Sequence, residues 1–589
     1  MNEQSYFTKI RDFLTSFFRG GLKIVSHLSP SDRLVFSLLV IFFIASSFSL
    51  LLKANQYILV EIPARGGTYI EGIAGTPRFI NPLLAVTDAD RDLTAIVYSG
   101  LMKRTPSGLL ITDLAESYSI GDSGLSYRFI IKADAVFHDK TPVSADDIVF
   151  TVTKAQDSGL KSPKRASWDG VLVRKINDRE VEFILEQPYA PFLQNTTLGI
   201  LPAHLWGEKS VEEFTFTVFN TEPIGSGPYM LKKIKRDASG VPEYYEFSSF
   251  SQYTLGQPYI KTLVIRYYPN EDRLIDAYLD GEIGALNSVS SKGLALIELN
   301  KKDVRVERSS LPRIFGVFFN QNQAPVLANI EVRAALNAGL DKEIVIREIL
   351  GGNGIAINSP IPPGAIYKVV REDLDMEDGE SRSHQGRAID ILDRNGWTVN
   401  EETGIWEKKT KKGTQTLSFS LSTSDVPELK QTAGVIAREW RKIGVDVDVK
   451  IFESGDLNQN VIRPRNYDAL FFGEIVGQEL DLFAFWHSSQ RNDPGLNIAL
   501  YTNITVDKLL EEARTVYDKE LRNEKYLEFE KVLTNDIPAV FVYSPDFIYI
   551  IPQNVRGISL GSVTASSERF ANIHKWHFDT NYVWSIFSR

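Results

Sequence analysis

Nineteen uncharged residues, Leu34 to Leu52, run between Arg33 and Lys53 without a proline or a glycine: LVFSLLVIFFIASSFSLLL. As a helix rising about 1.5 Å per residue, this run is roughly 28 Å long, close to the hydrocarbon thickness of a bilayer. A lone apolar stretch of that length near a terminus seldom belongs to a folded core. The sequence therefore predicts one transmembrane helix over 34–52, with roughly 530 residues displayed on one side of it.

Charge sets the direction. Lys9, Arg11, Arg19, Lys23 and Arg33 precede the run against Glu3, Asp12 and Asp32, whereas only Lys53 and Arg65 follow it closely. The positive-inside bias puts a cytoplasmic arm at 1–33 and the large body outside the membrane. The rival reading is a cleaved signal peptide, with Ala45, Ser46 and Ser47 supplying the small residues of a cleavage site. The 33-residue arm is long for a signal peptide, and the apolar run continues past those small residues. An uncleaved anchor is the preferred expectation. Within the arm, Phe7, Ile10, Phe13, Leu14, Phe17 and Phe18 recur at helical spacing among Lys9, Arg11 and Arg19. That pattern suits a helix lying in the headgroup layer, with a short unstructured tail as the alternative.

The whole chain carries −10, and six Lys and Arg against three Asp and Glu in residues 1–53 leave the remainder at about −13. An acidic body argues against nucleic-acid binding, which needs clustered Lys and Arg to displace counterions. There is no cysteine. Disulfides, thiolate catalysis, thiolate metal sites and lipid attachment through an N-terminal cysteine are excluded. Stability must come from burial, and 43% hydrophobic residues with 34 Phe can build large cores. The length suggests two to four domains, with no short-period repeat. The acidic stretch Val370 to Gln385 reads as a solvated surface loop.

Along the body, Arg65-Gly66-Gly67 leads into a strand at Thr68 to Glu71, and Asp92 to Gly100 has helical spacing ending on a glycine. Tyr127 to Ile131 and Glu180 to Leu185 alternate as strands, and Ser144 caps a helix through Phe150. Beyond about residue 325 the texture is helical at Ile330 to Ala338, Lys342 to Leu350, Arg387 to Asn395, Pro427 to Ile443, Val506 to Tyr517 and Leu521 to Thr534. Strands intervene at Thr416 to Leu421, Val445 to Ile451 and Ala539 to Tyr543. Interleaved helices and strands describe an α/β protein of several lobes.

Five stretches occur in a specific order. They are Leu114 to Phe150; Pro188-Tyr189-Ala190-Pro191-Phe192; Pro223 to Tyr229 (PIGSGPY); Phe319-Asn320 through Val332 to Leu336 and on to Asp341-Lys342; and Tyr526 to Tyr543. Together, over residues 66–560, they resemble the extracellular solute-binding proteins of the oligopeptide and dipeptide class, solute-binding protein family 5, the receptors of peptide-type ABC importers. The resemblance implies a periplasmic-binding-protein-like fold of type II with three lobes. Lobe I would be discontinuous (62–105, 218–312 and 548–589), lobe II would span 106–217 and lobe III 313–547. It further implies that ligand is enclosed by hinge closure and handed to ABC transporter permease subunits, with no cofactor and no covalent chemistry. Many relatives are lipid-anchored through a cysteine or free in a periplasm, whereas this chain has an apolar helix.

Carried over position by position, the resemblance makes Asp90 an acidic ligand contact, Asn287 and Ser288 a polar pair meeting the ligand backbone, and Tyr543 an aromatic wall near the hinge. In peptide-binding relatives an acidic residue holding the peptide's amino terminus follows the glycine matched by Gly473. Its place here falls at Gly477, which is not acidic, and Glu474, Glu479 or Asp481 are the available substitutes.

Other patterns have plainer readings. His574-x-x-His577, read on a strand, would point to opposite faces, so a terminal strand with Trp576 packed down is expected rather than a metal site. Gly351-Gly352-Asn353-Gly354 follows a helix and reads as a loop after its C-cap. Asp146-Asp147 sits at a helix N-terminus, which accounts for it without catalysis. The expected function is capture of an oligopeptide or other small solute for an ABC permease. The alternative is a sensory or scaffolding ectodomain on the same fold. An enzyme has no support beyond the versatility of folds.

Overall fold

Pro30, whose missing amide hydrogen costs nothing in a first helical turn, opens α1 (Pro30–Ile58). The helix exceeds the expected 34–52 at both ends, and its apolar part, Pro30–Leu50, is long and apolar enough to cross a membrane. Among the described residues nothing covers it: Leu34, Phe42 and Phe43 are 65%, 72% and 73% exposed. The computed structural model describes residues 29–584 apart from 123, 367–382, 412, 478, 479 and 562. The amphipathic arm therefore lies outside the described residues, as does most of the acidic loop. His384 and Gln385, expected in that loop, instead open the helix His384–Arg394, capped by Ser383.

The chain divides into two compact units, residues 1–64 with 579–589 and residues 65–578. In the first, the strand Leu59–Pro63 pairs antiparallel with Thr580–Trp584, a pairing that local sequence did not reveal.

The second unit is built on a twelve-stranded sheet. Its central strands are β1 (Gly66–Ala74), β2 (Ile260–Tyr268), β3 (Ala285–Asn287), β4 (Arg305–Ser310), β5 (Arg313–Phe319), β6 (Ala469–Ile475) and β7 (Ala539–Ile551). β1 is parallel to β2, and β5 lies antiparallel between β6 and β7. A separate four-stranded antiparallel sheet contains Ala115–Ile120, Ser126–Ile131, Glu180–Ile184 and Leu172–Asn177.

β7 is the longest of these strands, and it corrects the expectation of a strand ending at Tyr543. A proline usually ends a strand reading because it cannot donate to the ladder. Here Pro545 falls where β7 changes partners: Phe315 pairs with Tyr543 before it, and Ser309 with Phe547 after it. Both faces of β7 are covered beyond that point. Phe547, Tyr549 and Ile551 enter the largest core, which also holds Tyr69, Phe129 and Trp576, while Ile548 and Ile550 enter a smaller one with Leu274 and Tyr278. Period-two alternation between two cores explains a strand with no polar face. β5 does the same, with Val317 and Phe319 in one core and Ile314 and Phe318 in another.

Two helices near the cleft begin at capping boxes. α2 (Asp88–Val97) begins at a Thr87–Asp90 capping box and ends three residues before the expected Gly100. Gly100 is not its cap; a Cβ there would stand 2.6 Å from the Thr197 backbone, so glycine permits close approach. α3 (Ala145–Gln156) has the expected Ser144 box with Asp147, whose other oxygen accepts from the Ala203 amide at 2.7 Å.

Candidate binding cleft

α2 presents Arg91, Thr94 and Ala95 in one stripe, continued by Tyr98, the extended residue at its C-cap, while Leu93, Ile96 and Val97 are buried in the core. That stripe lines a cleft of about 660 Å³. Other walls come from Lys103 to Pro106, from Lys164 to Trp168 and Gln194 to Gly199, from Leu560 to Ala571, and from Arg313, Ile475 and Gly477. Segments far apart in the chain thus converge on one space. A shallower hollow of about 430 Å³ at Ile130 and Asn177 to Glu180 is confined to the four-stranded sheet.

The cleft holds unsatisfied polar groups. Tyr98 is 5% exposed, and its hydroxyl has no hydrogen-bond partner among the described residues. The same holds for Thr94 Oγ1, Gln194 Oε1 and Arg313 Nε. Buried polar atoms are ordinarily paired, so four without a protein partner give this cavity hydrogen-bonding capacity that the described residues do not use. Burial pushes the Tyr98 phenol pKa up, so it stays a protonated donor.

The acidic lining is already engaged. Asp113 accepts from Thr254 Oγ1; burial raises its pKa, and Lys103 opposes that rise. Lys103 donates to Tyr253 Oη at 2.8 Å, and burial lowers its pKa. Glu568 accepts from Thr564 N at 2.7 Å and Thr564 Oγ1 at 2.6 Å; burial raises it, and the hydrogen bonds and Arg104 oppose the shift.

Of the residues carried over by resemblance, only Gly477 lines this cleft. Asp90 is buried at the start of α2, and its carboxylate accepts from four backbone amides: Arg78 at 2.7 Å, Phe79 at 2.9 Å, Val86 at 3.3 Å and Thr87 at 3.1 Å. Asn287 Nδ2 donates to Glu71 Oε1 at 3.0 Å inside a buried network, while Ser288 is exposed at φ +55°. Glu474 points to the face of β6 opposite Ile475, into the core with Ile314 and Leu470. Tyr543 stacks on Phe315 at 4.8 Å and donates to Glu428 Oε1 at 2.9 Å. Asp481 is clamped by Arg514, with Nη2 at 2.8 Å, and Glu479 lies outside the described residues.

The histidine pair is not on a strand. His574 sits in a short 3-10 turn with its ring 5.7 Å from Tyr253, and His577 packs 6.0 Å from Tyr259. The sequence reading missed Arg91, Tyr98, Lys103, Lys164 and Arg313. The α2 stripe was legible as helical periodicity; the other residues meet it only through the fold.

A family model for bacterial extracellular solute-binding proteins, family 5 middle, matches residues 110–494. The chain belongs to family 5. It is a binding protein of that family and not an enzyme. It is similar to the oligopeptide-binding protein AppA of Bacillus subtilis, 27% identical over 520 residues, covering 87% of this chain and 92% of AppA. The structure of that AppA in complex with a nonapeptide superposes with a TM-score of 0.65 at 26% identity, covering 88% of this chain and 100% of AppA. NikZ from Campylobacter jejuni in complex with Ni(L-His) gives 0.66 at 26% identity over 87% of this chain and 99% of NikZ.

Proposed function

We propose that this chain is a membrane-tethered receptor outside the cytoplasm, taking a peptide or similar small solute into the cleft and delivering it to an ABC permease. The observation that carries the reading is the cleft of about 660 Å³, on which segments far apart in the chain converge and which unpaired polar atoms line. Its size suits a small ligand largely removed from water. Family 5 membership and the similarity to AppA, whose structure holds a nonapeptide, support a peptide as cargo.

In this reading the wall segments belong to three lobes, 62–105 with 218–312 and 548–589, then 106–217, and then 313–547. The lobes close about β7 near Pro545 and about the crossover at Pro223 to Tyr229. Cargo favours the closed form by its differential affinity, with no chemical change. The apolar part of α1 is the anchor, and the basic arm keeps the N-terminus cytoplasmic.

The test is calorimetry of the full chain in neutral detergent with pooled oligopeptides, beside carbonate extraction of its membranes. Heat of binding and retention in the membrane pellet are expected. A well-folded protein silent to every pool refutes peptide capture, and release by carbonate refutes the anchor.

A further inference from the structure

Charge in the cleft runs against charge in the chain. The protein carries −10 overall, yet the described lining has five basic side chains (Arg91, Lys103, Arg104, Lys164 and Arg313) against two acidic ones, Asp113 and Glu568. Lys103 lies against Asp113, and Arg104 offsets Glu568. Both acids are therefore neutralised within the wall, and the excess falls on Arg91, Lys164 and Arg313.

These three have little to hold them. Among the described residues, Arg91 pairs only with the exposed Asp88, at 3.4 Å. Among the described residues no carboxylate comes within ion-pair distance of Lys164 or Arg313, and Arg313 Nε has no hydrogen-bond partner. The Lys164 ammonium is surface-accessible yet enclosed by the cleft, and its pKa is lowered first by loss of water and then by the like charge of Arg91. Like charges lining one cavity repel one another, and an anion bound among them relieves that repulsion. A guanidinium fork and a phenol donor fit carboxylate oxygens, and Tyr98 supplies the phenol.

We propose that the cleft selects acidic cargo, a peptide rich in carboxylates, held by Arg91, Lys164 and Arg313 with Tyr98 donating a hydrogen bond. The proposal rests on the reading of this chain as a receptor and names its substrate class.

The test uses the full chain in neutral detergent and three pools of tetrapeptides alike except for Glu, Gln or Lys at the variable positions. Calorimetry should show the Glu pool binding at least about tenfold tighter than the Gln pool, with the Lys pool weakest. Raising NaCl from about 50 to about 300 mM should weaken the Glu pool most. Arg313→Gln and Arg91→Gln should each remove most of the Glu-over-Gln preference while ligand-free thermal unfolding stays unchanged. Lys164→Gln, at an exposed position, serves if Arg313→Gln fails to fold. Gln or Lys pools binding as tightly as Glu overturn the acidic preference and leave the receptor reading standing. Silence to all three pools brings down peptide capture itself, and this proposal with it.

Discussion

Glu474 keeps both carboxyl oxygens buried without a hydrogen-bond partner among the described residues, and burial raises its pKa well above the ordinary carboxylate value of 4.5. The folded state then binds this proton more tightly than the unfolded chain does. The stability it contributes is present below about pH 4.5 and is lost as pH rises through the folded value. Glu474→Met removes an unpaired polar group from a core and should raise stability near neutral pH by about 1–3 kcal/mol. Urea unfolding across pH should show the acid-side advantage of the parent vanish in the variant; an unchanged pH slope would refute it. His138 has the opposite sign. Gly225 N donates to its Nδ1 at 3.3 Å, and Nε2 lies 3.1 Å from Gly227 O, where a neutral imidazole can donate. Burial lowers its pKa from 6.5 to about 4. Its contribution is present above about pH 6.5 and is lost as pH falls through about 4, worth roughly 3 kcal/mol across that window. His138→Gln should flatten this limb of the unfolding profile.

At the scale of elements, the segment Pro223 to Tyr229 is set by steric room. Neither Gly225 nor Gly227 has positive φ, but a Cβ on them would lie 2.2 Å from Val97 O and 2.6 Å from Val97 C. These glycines permit close backbone approach to the end of α2, where Gly227 N donates to Val97 O at 2.8 Å. Gly225→Ala should cost about 1–3 kcal/mol by overpacking, seen as a lower urea midpoint with unchanged slope. A second lock ties the C-terminal turn Ser566–Phe570 to β1 and α2. Arg569 is fully buried and bridges Glu71 and Asp92, each at 2.7 Å. Tyr549 donates to Glu71 Oε2 at 2.8 Å, and Asn287 completes the network. Arg569→Met strands two carboxylates in the core and should cost about 3–5 kcal/mol. Early proteolysis of the C-terminal segment would report it; parent-like resistance would contradict it.

In the proposed reading the body closes on its cargo, so cargo should act on global properties. At a ligand concentration 100 times Kd, a true cargo should add about 2.7 kcal/mol to apparent stability. X-ray scattering of the full chain in detergent should show a smaller radius of gyration with it than without. A stabilising ligand that leaves the scattering profile unchanged would argue for a rigid pocket. Long stretches of this architecture were legible locally. The helix at Ile330–Ala338 has its expected bounds, and Pro427–Lys442 ends one residue short of its own, because their apolar periodicity and capping residues are local signals. The cleft was less legible. Asp90 and Asn287 are short polar side chains in promising sequence positions, yet the fold turns both toward internal partners.

What the linear chain determined on its own is whatever depends on neighbours within a few residues: an apolar helix of bilayer length, capped helices, alternating strands and a family pattern spread over most of the body. Tertiary structure alone decided which side chains meet. Arg313 and Gly477 lie 164 positions apart, and Arg91 and Phe570 lie farther apart still, yet all four line one cavity. Hydrogen bonds and burial are settled by contacts distant in sequence, so a carboxylate that looks available along the chain can be consumed in space, and a lone arginine can be left facing an open cleft.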